Sequence, residues 1–283
     1  MRATNAAPRR GTLWTLNAPA PQTPPAEPRR PDLDERREYA ARGRQEEFIV
    51  PLLRSAIEPA ITCAASQIGP RPGAPGLRAI DVGCGGQPFR GLIESSGFAY
   101  HAIDTQAQPG ITLDAVCAID QPLPDELLSI TRGGFDLVLC TEVLEHVLDW
   151  PAAWANLHRL LAPGGRLIIT CPFIYPLHEE PYDFWRATPH ALRRFAERFG
   201  FSIVEQRSLG DGFDALGTVN AASTPDPASR GIIARLQATC ARKGRKLLHR
   251  LLKSPRIRSA LSSRSKLYVA NFIVLTRDGG EHL

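Results

Sequence analysis

Four short stretches hold the residues whose types and spacing suit chemistry. In "LRAIDVGCGGQPF", residues 77–89, an apolar run reaches Asp81 and then turns through Gly83, Cys84 and Gly85. Glycines there allow a sharp bend and bring backbone amides close to a ligand that a side chain would obstruct. Position 88 is Pro, so the three-glycine fingerprint for a pyrophosphate is broken, and no Walker lysine follows. A second acid, Asp104, ends "AYHAID" and precedes Thr105. A carboxylate at that place can accept both hydroxyls of a ribose, and Asp81 suits a cationic or amino-bearing group.

The other two stretches supply groups for proton transfer or metal binding. "TEVLEHV" holds Thr141, Glu142, Glu145 and His146, and "FIYPLHEEPYDFWR" holds His178, Glu179, Glu180 and Asp183. Imidazole titrates near neutral pH, which makes His178 and His146 the candidate bases, while packing and hydrogen bonding are the alternative role for each. On a helix start, Glu142, Glu145 and His146 would share one face and could hold a divalent ion with His178, but without visible supporting groups no metal is expected. Tyr175, Tyr182, Phe184 and Trp185 are either an acceptor wall or core, and Arg186 is a candidate anion binder.

To position these groups the chain needs strands that end where they stand. Apolar runs at 77–82, 99–104, 112–116, 135–141, 165–171, 201–208 and 267–276 alternate with helical patterns near 88–96, 124–131, 151–161 and 188–199. Thr188 is a candidate N-cap, with Pro189 at the first helical position. Such alternation predicts an α/β fold, a largely parallel sheet with helices on both faces, whose ligands lie beyond the carboxyl ends of the strands. Before it, 1–31 carries seven prolines and little periodicity and reads as a disordered tail. Residues 32–76 read as helices, with Asp32 as a possible cap, Pro51 and Pro59 splitting or kinking them, and a Gly/Pro linker at 69–76.

A ribose without a phosphate, joined to a positive group, describes S-adenosylmethionine. Four motifs, in order and at fitting intervals, resemble those of the class I S-adenosylmethionine-dependent methyltransferases: "AIDVGCGGQPF", "AYHAID", "FDLVLCTEVLEHV" and "LHRLLAPGGRLIITCPF" look like the family's successive motifs. The resemblance runs from Leu77 to Leu209 and returns at Lys266 to Arg277. It implies a Rossmann-like seven-stranded sheet of order 3-2-1-4-5-7-6 with strand 7 antiparallel. It also implies that Gly83, Cys84 and Gly85 line the methionine part of the cofactor, that Asp104 holds the ribose, and that Thr141 lies under it. Thr105 and Glu142 join this set. Some relatives place an acid beside the adenine amine; here Ala118 stands at that position and Asp120 two residues later. Others use ExxEH, the spacing of Glu142, Glu145 and His146, to hold a divalent ion.

Composition bounds the setting. Of 283 residues, 43% are hydrophobic, enough for a core. No window approaches the about 18 apolar residues of a membrane span, so a cytoplasmic protein is expected. The six cysteines show no framework spacing and read as reduced thiols. The formal charge is +5, but 227–266 is basic with no acid beyond Asp226. Within the insertion 210–265 of the 77–283 domain, the segment 229–258 predicts an amphipathic helix that can lie on an anionic membrane, cover an acceptor or bind RNA. The expected activity is transfer of a methyl group to oxygen on a small-molecule or glycan-type acceptor. The rivals are an RNA 2′-O-methyltransferase using ExxEH and a non-catalytic cofactor-binding scaffold.

Overall fold

The computed structural model describes residues 39–69, 71, 76–227, 231–261 and 266–277. The expected tail, Asp32 and most of the 69–76 linker lie outside them. Seven strands form one sheet: β1 (Leu77–Val82), β2 (Phe98–Asp104), β3 (Ala115–Val116), β4 (Phe135–Thr141), β5 (Leu161–Pro172), β6 (Phe201–Leu209) and β7 (Ala270–Arg277). Their order is β3-β2-β1-β4-β5-β7-β6, with β7 antiparallel to both neighbours, as the motifs implied. β3 is shorter than the predicted 112–116: Asp114, just before it, accepts the Ala102 amide and a contact from the His101 ring at 2.8 Å each, so a side chain takes over what a longer ladder would do.

Side chains alternate across the sheet, so each strand feeds two cores. One face of β4 sends Val138 and Cys140 against α3 (Asp125–Ile130), α4 (Trp150–Leu160) and α5 (Pro189–Arg198). The other sends Leu137 and Leu139 against α1 (Val50–Gln67) and α2 (Arg90–Ser95). α1 buries Leu53, Ala56, Ile57, Ile61 and Ala64 on that face. Pro51 lies in its first turn and Pro59 is held within one continuous helix. α5 begins where predicted: Thr188 Oγ1 accepts the Ala191 amide at 3.2 Å.

Between β6 and β7 the insertion forms α6 (Gly212–Ala222), α7 (Ile232–Lys253) and α8 (Pro255–Ala260). Asp211 caps α6 in a reciprocal box with Asp214, and Arg258 of α8 pairs with both acids. Arg245 on the inner face of α7 donates to the Asn220 and Ala221 carbonyls that end α6. All six cysteines are free thiols. No described helix is long and apolar enough to cross a membrane.

Candidate active site at the carboxyl ends of the strands

The turn after β1 is fixed by β2. The Gly83 and Cys84 amides donate to the Ile103 carbonyl at 2.8 and 3.3 Å, and the Gly85 amide donates to Asp104 Oδ2 at 2.8 Å. Gly83 and Gly85 both have positive φ, 67° and 49°, where a β-carbon is strained. They differ in surroundings. A β-carbon at Gly83 would stand 2.5 Å from Val143 Cγ2, whereas one at Gly85 would meet nothing within 4 Å. Gly83 therefore admits the turn after β4, and Gly85 faces open space beside Asp104. Thr105 Oγ1 donates to the second oxygen, Asp104 Oδ1, at 3.3 Å. The donors leave lone pairs of that carboxylate free for a bidentate ligand.

Asp81 is buried below the turn, where Tyr100 donates to it at 3.0 Å. Burial pushes its carboxyl up to about 7, so it is poised to gain from a nearby positive charge. Burial likewise pushes the Cys84 thiol up to about 12; its side chain is buried against Gln87. Asp120 lies further along, accepting the Asp149 amide at 3.4 Å. The open face at Gly85, the free lone pairs of Asp104 and the buried acid fit a ribose and a cationic sulfur compound.

The helix start predicted for 142–146 is not what forms. Glu142 takes φ 55°, Leu144–His146 make one 3-10 turn, and α4 begins only at Trp150, capped by Asp149. The expected set is thereby changed: among the described residues the ligand atoms that converge are those of Glu145, His146 and His178, without Glu142. Burial pushes the Glu142 carboxyl up to about 7, and its Oε1 is buried without a hydrogen-bond partner. Glu145 is fully buried with neither oxygen bonded, and burial followed by repulsion from Glu142 holds its carboxyl well above the usual range.

Two imidazoles face Glu145. Its Oε1 lies 3.8 Å from His146 Nε2 and 3.9 Å from His178 Nε2, and the rings meet edge-on with centroids 4.7 Å apart. Each ring is fixed from behind. His146 Nδ1 is 2.9 Å from the Tyr182 carbonyl; His178 Nδ1 is 3.2 Å from Asp183 Oδ2 and 3.3 Å from the Pro176 carbonyl. With the proton on Nδ1 in both rings, both Nε2 lone pairs aim at the gap. Burial, then the neighbouring His146, lowers the His178 pKa, which favours the neutral ring. Glu145, His146 and His178 offer three ligand atoms within 4.8 Å of one another, so a divalent cation can be held here as well as an acceptor hydroxyl.

The segment 178–187 is stitched over this gap. The Phe184 and Trp185 amides donate to the Glu145 carbonyl, and Trp185 Nε1 donates to the Val147 carbonyl. Arg186, expected as an anion binder, is instead engaged: it grips Asp183 with two nitrogens at 2.5 and 2.6 Å and the Pro176 carbonyl at 3.1 Å. Burial alone would raise the Asp183 carboxyl, but those bonds hold it below its ordinary value. Tyr175 rests edge-on against His178. Thr141, at the end of β4, pairs with Thr170 of β5. Tyr39 carries no signal in the sequence: its ring packs tilted against Phe89 with centroids 4.9 Å apart, and burial, then Glu142 and Glu145, raise its hydroxyl pKa. No local pattern marks a residue so far from the motifs.

A sequence profile described as a methyltransferase domain matches residues 53–206, more than half of the chain. The ubiquinone biosynthesis O-methyltransferase of Caulobacter sp. (strain K31) is 36% identical over 102 residues, 33% of this chain and 40% of that protein. The protein of that name from Pseudomonas aeruginosa (strain LESB58) is 31% identical over 110 residues, 36% of this chain and 47% of its own. The chain thus matches less than half the length of these curated relatives. An S-adenosylmethionine-dependent methyltransferase from Archaeoglobus fulgidus superposes with a TM-score of 0.47 at 13% identity, over 82% of this chain and 97% of that one.

Proposed function

This chain belongs to the methyltransferase-domain family, and from that premise we propose that it methylates a hydroxyl oxygen of a small-molecule or glycan-type acceptor. When bound, S-adenosylmethionine supplies a methyl group on a positively charged sulfur and leaves as S-adenosylhomocysteine. Asp104 accepts the ribose hydroxyls, the turn at Gly83–Gly85 approaches the methionine part, and Asp81 sits beneath it as the buried acid. Thr105 and Glu142 flank the same cavity. The names of the relatives favour oxygen as the atom methylated.

One observation carries the reading: His178 Nδ1 is held by Asp183 while its Nε2 opens on the gap beside Glu145 and His146, and burial lowers its pKa, which favours the neutral ring. There His178 Nε2 takes the proton of the acceptor hydroxyl as its oxygen forms the bond to the methyl carbon, and the electrons of the broken carbon–sulfur bond stay on sulfur. His146, locked to the Tyr182 carbonyl, positions the acceptor from the other side. Proton removal of this kind contributes about 10²–10⁴ in rate. The test is transfer of labelled methyl from S-adenosylmethionine to a panel of phenolic, sugar and glycolipid acceptors. His178→Ala is expected to lower kcat by that factor while leaving S-adenosylmethionine affinity nearly unchanged; an equal kcat would remove His178 as the base.

The converging ligand atoms of Glu145, His146 and His178 favour a second reading, a divalent cation that polarises the acceptor oxygen. On the first reading turnover survives EDTA. If chelation abolishes it and Mg²⁺ or Zn²⁺ restores it, the cluster is a metal centre. Beyond the site, α7 presents leucines and basic residues outward, which supports a peripheral contact with anionic membrane.

A further inference from the structure

The inner end of α7 borders a recess that belongs to neither half of the cleft. It is walled by Arg44 and Glu47 from the segment before α1, by Lys246, His249, Arg250 and Lys253 from successive turns of α7, and by Ser254. Four fixed cations meet one carboxylate there. Glu47 is already committed, bonded to Lys253 and to His249 Nε2, and their bonds lower its pKa. Such an excess of positive charge in a concave site calls for an anion.

A second observation points the same way. His249 is only 8% exposed and packs edge-on against Phe48, yet its Nδ1 is buried without a hydrogen-bond partner. A buried polar atom left unpaired is costly, so the wall of the recess is not fully satisfied by the fold itself. A phosphate group, with several charged oxygens, matches the four cations that surround the recess.

The surroundings select the source of that phosphate. At 100° per residue, Lys246 and Arg250 lie on one strip of α7 and Leu247, Leu251, Leu236 and Ile233 on the strip beside it. Among the described residues that apolar strip is uncovered: Leu236 is 61% exposed, Leu247 58% and Ile233 69%. Arg245, Ala238 and Leu252 face the opposite way, into the domain. A basic recess bordering an exposed apolar stripe matches the two layers of a membrane interface, phosphates outside and acyl chains within.

We propose that this recess is a headgroup site for the phosphate of an anionic phospholipid, seated while the leucines of α7 enter the interface. The proposal rests on the peripheral-membrane reading of α7 and specifies where the headgroup binds. Two arms test it on the full chain. In the first, inorganic phosphate is titrated while the His249 ring resonances are followed. A saturable shift is expected in the native protein and in Leu247→Ser/Leu251→Ser, and its loss in Lys246→Ala/Arg250→Ala.

The second arm is sedimentation with phosphatidylcholine vesicles with and without phosphatidic acid. Binding only to the acidic vesicles is expected. It should be weakened about thirtyfold by Lys246→Ala/Arg250→Ala, at roughly fivefold for each basic residue near such a surface, and strongly by the leucine pair. Unchanged thermal unfolding and S-adenosylhomocysteine affinity show that each variant is folded. If vesicles hold Lys246→Ala/Arg250→Ala as well as the native protein but lose the leucine variant, α7 lies on membranes without a headgroup site and this proposal falls alone. If phosphate saturates the recess but acidic vesicles are ignored, its ligand is not a lipid. If neither binds, the recess and the membrane reading fall together.

Discussion

Around the turn after β1 the fold offers backbone: two glycines of positive φ, amides tied to Ile103 and Asp104, and an acid from each of β1 and β2. Across Val143, the cluster from Glu142 to Arg186 is made of side chains instead, with two buried glutamates, two imidazoles, and an aspartate clamped by arginine. The first arrangement needs few residues and keeps its shape when the protonation state changes. The second can move protons, and for that reason each of its groups depends on the charge of the others. Binding and chemistry are therefore separable here, and variants on the two sides should fail differently. The His178→Ala loss in turnover, with cofactor affinity retained, is the largest separation expected.

The exception on the backbone side is Asp81, a buried carboxyl held up to about 7. Its folded pKa lies above the roughly 3.9 of an unfolded chain, so its contribution to stability is complete below about pH 4. That contribution is lost as pH rises through about 7. The contribution amounts to about 1.4 kcal/mol per unit, on the order of 4 kcal/mol in all. Ligand-free Asp81→Asn should accordingly gain on the native protein as pH is raised from 4 to 8 in urea unfolding series, and S-adenosylmethionine should narrow the gap by supplying a cation. Parallel curves would mean that Asp81 has its charge compensated within the protein.

Gly83 joins the two sides, so its substitution should damage both. An alanine there carries left-handed strain of about 1–2 kcal/mol and overpacks Val143, which costs typically 1–3 kcal/mol more. We expect a loss near 3 kcal/mol in denaturant, and partial recovery in Gly83→Ala/Val143→Ala, because the clash is with that side chain. Additive effects of the two substitutions would show that the halves are not in contact through this pair.

How much of this was legible depended on distance along the chain. The sheet order came with the resemblance of the four motifs, whereas the insertion helix, the Thr188 cap and the Gly83–Gly85 turn follow from local patterns of apolar period, capping and glycine. Helical spacing was expected to align Glu142, Glu145 and His146, but the chain reverses at Glu142 and the ligand atoms that converge are those of Glu145, His146 and His178; a left-handed glutamate leaves no mark in sequence. Arg186 read as an open anion site because its partner Asp183 lies three residues away in a loop whose geometry is set by the Glu145 carbonyl. Tyr39, Tyr100 and His249 gain their meaning from neighbours 19 to 202 residues distant, through register and packing that no short window contains.

On the ribose side a smaller effect is expected. Asp104→Ala removes a charged acceptor for two hydroxyls and should weaken S-adenosylhomocysteine binding by about 1.5–3 kcal/mol, measured by calorimetry. It also frees the Gly85 amide, so Asp104→Asn, which can keep that bond through its amide oxygen, should lose less. Equal losses would assign the effect to a disordered turn instead of a missing ribose contact.

Gly85 provides the finest test, because it shares the conformation of Gly83 without its neighbours. An alanine there bears the same left-handed strain of about 1–2 kcal/mol, and its methyl group touches nothing within 4 Å in the ligand-free protein. Stability should thus fall by no more than that amount. The methyl group would, however, project into the space beside Asp104 that the ligand is expected to occupy, so affinity for S-adenosylhomocysteine should fall by more than stability does. Gly83→Ala should show the reverse ranking, a large loss in unfolding and, in whatever fraction remains folded, a smaller one in affinity. Were Gly85→Ala to bind the ligand as the native protein does while Asp104→Ala did not, the adenosine end would be placed correctly and the methionine end would have to leave the turn by another route.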